Sequence, residues 1–233
     1  MNEPYDDLEG RFTRFLLDAG ALKFGEFTLK SGRVSPYYIN AASFDTGRLV
    51  GELGKFYAAK IMWEIEAGRF SDRIDTVFGP AYKGIPLAVS TAMALHEYGI
   101  EAGYTFDRKE RKDHGDGGLM VGMPLEDGMN VVIVDDVMTA GTAIQETVPK
   151  LKREAGVHIT GMVVSVDRME TTAHSNRSAV METESMYGFP VSSIVNVLDL
   201  FAEARKLTKP DGSPYVSDAL DDLAEQYLEK YGA

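Results

Sequence analysis

Apolar residues near the start of the chain recur first at helical spacing and then in short, strand-like runs. The helical spacing predicts a helix over residues 5–19. Two short strands are predicted to follow, at 24–30 and 37–40, with a Ser-Gly turn between them. A second helix is predicted over 46–66, beginning at an Asp or Thr N-cap. The pattern therefore predicts a small hairpin flanked by two helices.

From residue 76 onward, apolar runs of strand length alternate with helical patterns. Strands are predicted at 76–78, 102–106, 131–134, 159–166 and 194–198. Helices are predicted at 84–97, 142–154 and 216–231. Pro149 lies inside one of these helices and is expected to kink or shorten it. The alternation predicts an α/β fold: a central, mostly parallel sheet with helices on both faces, plus the small N-terminal hairpin element.

Length, cysteine content and charge narrow the class of protein. The 233 residues suit one α/β domain with a small accessory element, so residues 1–233 are interpreted as a single domain. No apolar run is long enough for a membrane span, the N-terminus lacks a signal-peptide pattern, and there is no cysteine for disulfides or thiol chemistry. These features predict a cytoplasmic protein with no membrane partner. The formal net charge of −12 argues against nucleic-acid binding and makes any local basic cluster more informative.

Two adjacent carboxylates follow one of the predicted strands. Asp135 and Asp136 come directly after residues 131–134, and a loop of mostly small residues leads from them into a helix near Thr142. Ionised carboxylates accept hydrogen bonds from neighbouring hydroxyls, and a helix N-terminus behind small residues suits an anion. A sugar that carries a phosphate satisfies both halves. The alternative is an ordinary buried strand and turn, in which the two acids cap the helix.

Two further segments bring cations to the ends of predicted strands. Residues 79–84 place a turn, Lys83 and a helix N-terminus together, an arrangement that suits binding of pyrophosphate. An ordinary connection from a strand to a helix, with a solvated Lys83, is the alternative. Residues 107–118 carry four Lys or Arg residues and one His, and they end in glycines. The second segment is predicted to be a charged loop that closes over a departing anion. A merely solvated loop is the alternative.

Two other segments are ambiguous when their residues are considered alone. Residues 27–38 are a predicted hairpin with an exposed Lys30, and without further information a purely structural role is the better explanation. Arg168 follows the strand predicted at 159–166. It is placed to pair with a planar carboxylate or with its neighbour Asp167.

The strand, acid pair and small-residue loop at 131–142 resemble the motif of type I phosphoribosyltransferases that binds 5-phosphoribosyl 1-diphosphate (PRPP). The Leu-Lys-Ser-Gly and Ser-Pro-Tyr residues within 29–37 resemble the hood of the orotate branch of that family, and 107–118 resembles its mobile catalytic lid. The resemblance extends from about Leu22 to Leu198. It implies a hood formed mainly by about 20–45 and a lid at 107–118.

The resemblance also implies roles for individual residues. The residues expected to bind PRPP are Tyr82, Lys83, Arg108, Lys109, Lys112, His114, Asp135, Asp136, Val137, Met138, Thr139, Ala140, Gly141, Thr142 and Ala143. The residues expected to bind orotate are Lys30, Tyr37, Tyr38, Thr139 and Arg168. Three of these, Lys112, His114 and Asp136, are expected to be catalytic.

The activity that the resemblance implies is transfer of the 5-phosphoribosyl group from PRPP to N1 of orotate. Mg²⁺ is expected to bind through substrate oxygens and water, with no direct protein ligand. The resemblance further implies a homodimer whose lid reaches the neighbouring active site. Two alternatives remain open: a phosphoribosyltransferase that acts on another base, and a PRPP-binding regulator without turnover.

Overall fold

The computed structural model describes residues 5–29, 32–112, 118–138, 142–172 and 175–233, with the backbone only at 111, 112 and 142. The strands are β1 (Leu22–Thr28), β2 (Val34–Ile39), β3 (Thr76–Gly79), β4 (Gly103–Lys112), β5 (Gly118–Gly122), β6 (Asn130–Met138), β7 (His158–Asp167) and β8 (Val191–Asn196). The helices are α1 (Leu8–Asp18), α2 (Gly47–Glu66), α3 (Gly84–Glu97), α4 (Thr142–Glu154), α5 (Ala179–Tyr187), α6 (Val197–Ala204) and α7 (Asp218–Tyr231), with a 3₁₀ turn at Ala41–Ser43.

Six strands form the central sheet in the order β5-β4-β3-β6-β7-β8. All neighbouring pairs are parallel except β4 and β5, which are antiparallel. The strands β1 and β2 form a separate antiparallel hairpin. The predicted fold class, a mostly parallel sheet with a small hairpin element, is confirmed.

Helices cover both faces of this sheet because its central strands are apolar on both sides. One core contains α1, α2, α3, α6, α7 and the hairpin, packed against alternate residues such as Val132 and Val134 of β6. The second core contains α4 and α5, packed against Val131 and Ile133. This arrangement leaves the carboxyl ends of the strands for ligands. Within the described residues, no helix is long and apolar enough to cross a membrane.

Several predicted elements needed correction. The charged segment is not a loop as far as Lys112, because β4 continues through it and pairs with β5, which was not predicted. The helices α5 and α6 were missed, and α4 runs through Pro149 to Glu154 without being shortened. The strand β6 extends to Met138, so the acid pair lies within the strand rather than after it.

Candidate functional site

The acid pair is held in place from both sides through its backbone. The hydroxyl of Tyr57, on α2, donates to the Asp135 carbonyl oxygen at 2.7 Å. The Ser165 hydroxyl, on β7, donates to the Asp136 carbonyl oxygen. Because the backbone oxygens are occupied in this way, the position of the two carboxylates is set by a helix and by a neighbouring strand.

The two carboxylates differ in their surroundings. The Asp136 side chain is 18% exposed and accepts a hydrogen bond from Lys83 Nζ at 2.6 Å, which raises the pKa of Lys83. Burial, and then the charge of Asp136, raise the pKa of Asp135 to about 7. The pair is therefore short of positive charge and hydroxyl donors. A ligand that supplies either would favour the ionised form of both acids.

The loop between β3 and α3 brings Lys83 to this pair. It contains a cis peptide bond between Ala81 and Tyr82, and the Tyr82 side chain is 69% exposed. Gly79 and Gly84 bound the loop in close backbone contact: a Cβ on Gly79 would lie 1.9 Å from the Gly84 carbonyl oxygen. Only glycine fits this approach, and the loop leaves β3 and enters α3 within five residues.

A buried carboxylate ties this loop to two other elements. Asp107, on β4, is only 4% exposed. It accepts a hydrogen bond from the Ala81 backbone N–H at 2.8 Å and another from Lys150 Nζ, on α4, at 2.6 Å. Asp107 thus joins the Lys83 loop to the helix that begins after the acid pair.

The predicted lid begins in strand β4, directly after Asp107. Lys109 Nζ lies 5.7 Å from the centre of the Tyr82 ring, so this strand adjoins the Lys83 loop. Arg108 Nη1 is buried and has no hydrogen-bond partner in the described part of the chain. Lys112 has only its backbone described, and His114 lies outside the described residues. The described portion therefore brings one of the four predicted lid residues, Lys109, next to the Lys83 loop, and Arg108 precedes it on the same strand.

The segment predicted to bind phosphate is described at its two ends. Val137 and Met138 are the last two residues of β6. The Met138 side chain is buried in the second core, so only the Met138 backbone can contact a ligand. Thr139, Ala140 and Gly141 lie outside the described residues. The helix α4 begins at Thr142, as predicted, and Ala143 in its first turn is exposed.

The two tyrosines predicted to enclose a base lie on opposite faces of β2. The Tyr38 side chain is 40% exposed and packs against Phe27. Tyr37 is fully buried and lies 4.7 Å from the Arg168 guanidinium, measured to the ring centre. Strand alternation turns the Tyr37 ring into the core, so a contact of Tyr37 with orotate would have to run through its backbone. Lys30 lies outside the described residues.

Arg168 follows β7 and is also largely buried, with 7% exposure. Its Nε donates to Glu170 Oε1 at 2.8 Å, and its Nη2 lies 3.4 Å from Ser35 Oγ. The alternative partner considered from the sequence, Asp167, instead accepts a hydrogen bond from the Met169 backbone N–H. Arg168 is therefore packed beneath the hairpin and is not a solvated surface cation.

A cavity of about 240 Å³ adjoins the acid pair. Its polar wall includes Lys83, Asp136 and Ser165. Its apolar wall is formed by the hairpin, the 3₁₀ turn, α2 and α3, and includes Ile39, Phe44, Leu53 and Leu87. A planar, partly apolar group attached to a sugar on the acid pair would have space here.

Comparisons with known proteins agree on one family. The model of the phosphoribosyl transferase domain matches residues 51–195. The orotate phosphoribosyltransferase of Bifidobacterium animalis subsp. lactis is 61% identical over 227 residues, which cover 97% of this chain and 98% of that protein. The chain belongs to the orotate phosphoribosyltransferase family. The enzyme of that name from Clostridium acetobutylicum is 43% identical over 222 residues, 95% of this chain and 96% of its own.

Solved structures give the same result for the fold. The crystal structure of orotate phosphoribosyltransferase from Francisella tularensis matches with a TM-score of 0.78 and 38% identity, covering 96% of this chain and 100% of that one. The α/β architecture is thus that of an orotate phosphoribosyltransferase over nearly the whole chain. The family predicted from the residues is confirmed.

Several residues that shape this orotate phosphoribosyltransferase site were not identified from the sequence. Asp107, Tyr57 and Ser165 all act on the backbone or on a partner side chain, and none belongs to a recognisable motif. Ile39 was also not identified. It lines the cavity, whereas Tyr37, on the same face of β2, is fully buried. Asp107 offered one usable signal: it is an acid directly after an apolar strand, like Asp135.

Proposed function

We propose that this chain transfers the 5-phosphoribosyl group from PRPP to N1 of orotate, releasing pyrophosphate and orotidine 5′-monophosphate. The observation that carries the proposal is the meeting of Asp135, Asp136 and Lys83 at the carboxyl end of β6, within a chain of this family. This reaction is a step of pyrimidine nucleotide synthesis. The competing assignments, another base or PRPP binding without turnover, become outcomes of the test below.

The two carboxylates are assigned to the ribose. Asp135 and Asp136 accept hydrogen bonds from the 2′- and 3′-hydroxyls, which replace the proton that Asp135 otherwise holds up to a pH of about 7. Positive charge develops on the anomeric carbon as the bond to pyrophosphate breaks, and the negative field of the pair favours that charge. No covalent nucleophile is required, because positioning and electrostatics lower the barrier.

Cations around the Lys83 loop are assigned to the leaving group. Lys83, the Tyr82 backbone, Arg108 and Lys109 would contact the diphosphate, and Arg108 brings a guanidinium nitrogen that lacks a protein partner within the described residues. Lys112 and His114 are proposed to complete the set when the lid closes. The segment 137–143, at the start of α4, is assigned to the 5′-phosphate.

Base recognition is assigned to the hairpin and to Arg168. The guanidinium would pair with the orotate carboxylate, and Tyr38, Lys30 and Thr139 would enclose the ring. Tyr37 would contact orotate through its backbone, while its buried ring supports Arg168 from beneath, at 4.7 Å.

Mg²⁺ is proposed to accompany PRPP. Asp135 and Asp136 are assigned to the ribose hydroxyls, so the ion would be held by diphosphate oxygens and water, with no direct protein ligand. Within the described residues, no group of three or more acids or histidines is placed to hold a metal ion. When bound, Mg²⁺ neutralises charge on the diphosphate.

The proposed setting is a cytoplasmic homodimer with active sites shared across the interface. Membrane and nucleic acid are not proposed as partners, since the formal net charge of −12 disfavours polyanions. Sharing predicts that a mixed dimer of Lys112→Ala and Asp136→Ala chains regains about one working site. Mixed dimers as inactive as either parent would contradict sharing while leaving the reaction itself intact.

The reaction is tested by following the loss of orotate absorbance with PRPP and Mg²⁺, with adenine, hypoxanthine and uracil in parallel. Turnover with orotate alone is the expected result. Turnover with another base would replace the proposed substrate, and PRPP binding without any turnover would replace the enzyme with a regulator.

A further inference from the structure

Glu170 is the carboxylate that holds Arg168. Its side chain is 14% exposed. It accepts from Arg168 Nε at 2.8 Å, with Arg168 Nη2 at 2.6 Å from the same oxygen. Arg33 Nη1, on the hairpin side, reaches the other oxygen at 3.2 Å. Glu170 therefore takes one edge of the Arg168 guanidinium and fixes the direction in which the planar group faces.

The helix α7 completes this arrangement from the opposite side. The Tyr227 hydroxyl donates to Glu170 Oε1 at 2.9 Å, and Tyr227 is 5% exposed. The Tyr227 ring meets the Tyr37 ring edge-on, with centroids 6.5 Å apart. The ring that lies against Arg168 and the carboxylate that binds it are thus both in contact with one side chain of α7.

Backbone hydrogen bonds attach the end of α7 to the segment that follows Arg168. The Thr171 N–H donates to the Tyr231 carbonyl oxygen at 2.8 Å, and the Ala233 N–H donates to the Met169 carbonyl oxygen at 2.8 Å. The Arg33 guanidinium lies 4.7 Å from the centre of the Tyr231 ring. The segment 169–171 is therefore held between α7 and the hairpin.

From these contacts we infer that Tyr227 and Glu170 are positioning residues for base recognition, through which α7 sets the orientation of the Arg168 guanidinium toward the substrate carboxylate. The inference rests on the proposed role of Arg168. Glu170 is itself anionic and would repel a carboxylate, so its contribution is geometric: it pre-orders a buried cation that would otherwise lose side-chain freedom on binding. The C-terminal helix thereby gains a function beyond covering the core.

The deciding variant is Tyr227→Phe, which removes one hydroxyl and keeps the ring. The KM for orotate is expected to rise about tenfold, the size of one hydrogen bond to a charged group, while the KM for PRPP stays close to wild type and the Tm falls by only a few degrees. Glu170→Ala is expected to raise the KM for orotate further, by up to about a hundredfold. Tyr187→Phe, the same change on α5 in the second core, serves as the matched control.

Two outcomes separate this inference from the proposed function. If Arg168→Lys leaves the KM for orotate unchanged, Arg168 does not bind the base. The proposed role of Arg168 is then wrong, and the inference that rests on it falls as well. If Arg168→Lys raises that KM but Tyr227→Phe and Glu170→Ala do not, Arg168 binds the base without help from α7, and the inference alone is overturned. Equal rises in the KM for orotate and for PRPP would mark a general structural effect and would also overturn it.

Discussion

A cluster of charged side chains lies at each end of the sheet. The two clusters differ in how completely the protein itself pairs their charges. At the amino end of β8, Glu64 is fully buried and contacts Lys60 at 3.1 Å, Arg69 at 3.1 Å and Ser192 at 2.6 Å. At the carboxyl end of β6, Asp136 has one cationic partner, Lys83, whose side chain is 66% exposed.

The difference shows which charges serve the fold and which serve a ligand. Glu64 is fully buried and paired with two cations, Lys60 and Arg69, so the protein itself compensates its charge. Burial raises the pKa of Asp135 to about 7 because its surroundings supply too little positive charge. A site that binds a polar ligand leaves such a shortage, whereas a structural ion cluster removes it.

Disrupting the paired charges around Glu64 should have the largest effect on stability. Glu64→Ala leaves the buried ammonium of Lys60 without its carboxylate, so the free energy of unfolding is expected to fall by about 3–5 kcal/mol. Thermal unfolding should show a Tm lower by roughly 10 °C. The kcat/KM of the folded variant, measured well below its Tm, should stay near wild type. A Glu64→Ala variant with wild-type stability would contradict the structural role assigned to the Glu64 cluster.

Removing charge at the ligand end should affect turnover instead. Asp136→Asn is expected to lower kcat by about 100-fold or more, since it removes charge stabilisation at the anomeric carbon. Its Tm should not fall, because Lys83 is exposed and is readily solvated when unpaired. Steady-state kinetics and a melting curve on the same preparation test both parts. A large loss of Tm with unchanged kcat would show that Asp136 serves the fold rather than the ligand.

Asp107 lies between the two extremes, since it is buried and paired but adjoins the site. Asp107→Asn keeps an acceptor for Ala81 and loses the ion pair with Lys150. The expected result is a rise of about tenfold in the KM for PRPP, from misplacement of the Lys83 loop, with a smaller change in the KM for orotate. Lys152→Ala, on the exposed side of the same helix, is the control and should match wild type.

The last prediction concerns the pH dependence of stability. The pKa of Asp135 is about 7 in the fold, against 3.8 ordinarily, so its neutral form favours the folded state at low pH. That contribution is complete below about pH 4 and is lost as the pH rises through 7. The wild-type Tm should therefore fall more between pH 5 and pH 8 than the Tm of Asp135→Asn. Parallel Tm curves for the two proteins would show that Asp135 does not titrate in this range.

The sequence predicted the parts of this molecule that follow a period or a motif. The helix at 84–97, the parallel strands and the placement of the acid pair near the carboxyl end of a sheet strand all followed from apolar spacing. The family followed from three motifs. The helix α5 was missed because its residues show little segregation of apolar from polar side chains. The helix α6 was missed because its first two residues fall within the strand predicted at 194–198.

The remaining errors concern contacts between segments distant in sequence. The charged residues after Phe106 look like a loop alone, and become a strand because β5 pairs with them. Tyr37 and Tyr38 are chemically alike, and only the packing of β2 on α6 and α7 decides which ring is buried. The partners of Asp107 lie 26 and 43 residues away, and local pattern carries no information about them.

The contact between Gly79 and Gly84 has an evolutionary consequence. A Cβ on either residue meets the backbone of the other, at 1.9 Å in one direction and 2.6 Å in the other. A clash with a side chain can be relieved by a second substitution, but a clash with backbone offers no side chain to shorten. The two positions therefore cannot drift as a compensating pair. The two glycines and the spacing that separates them should therefore persist throughout this family.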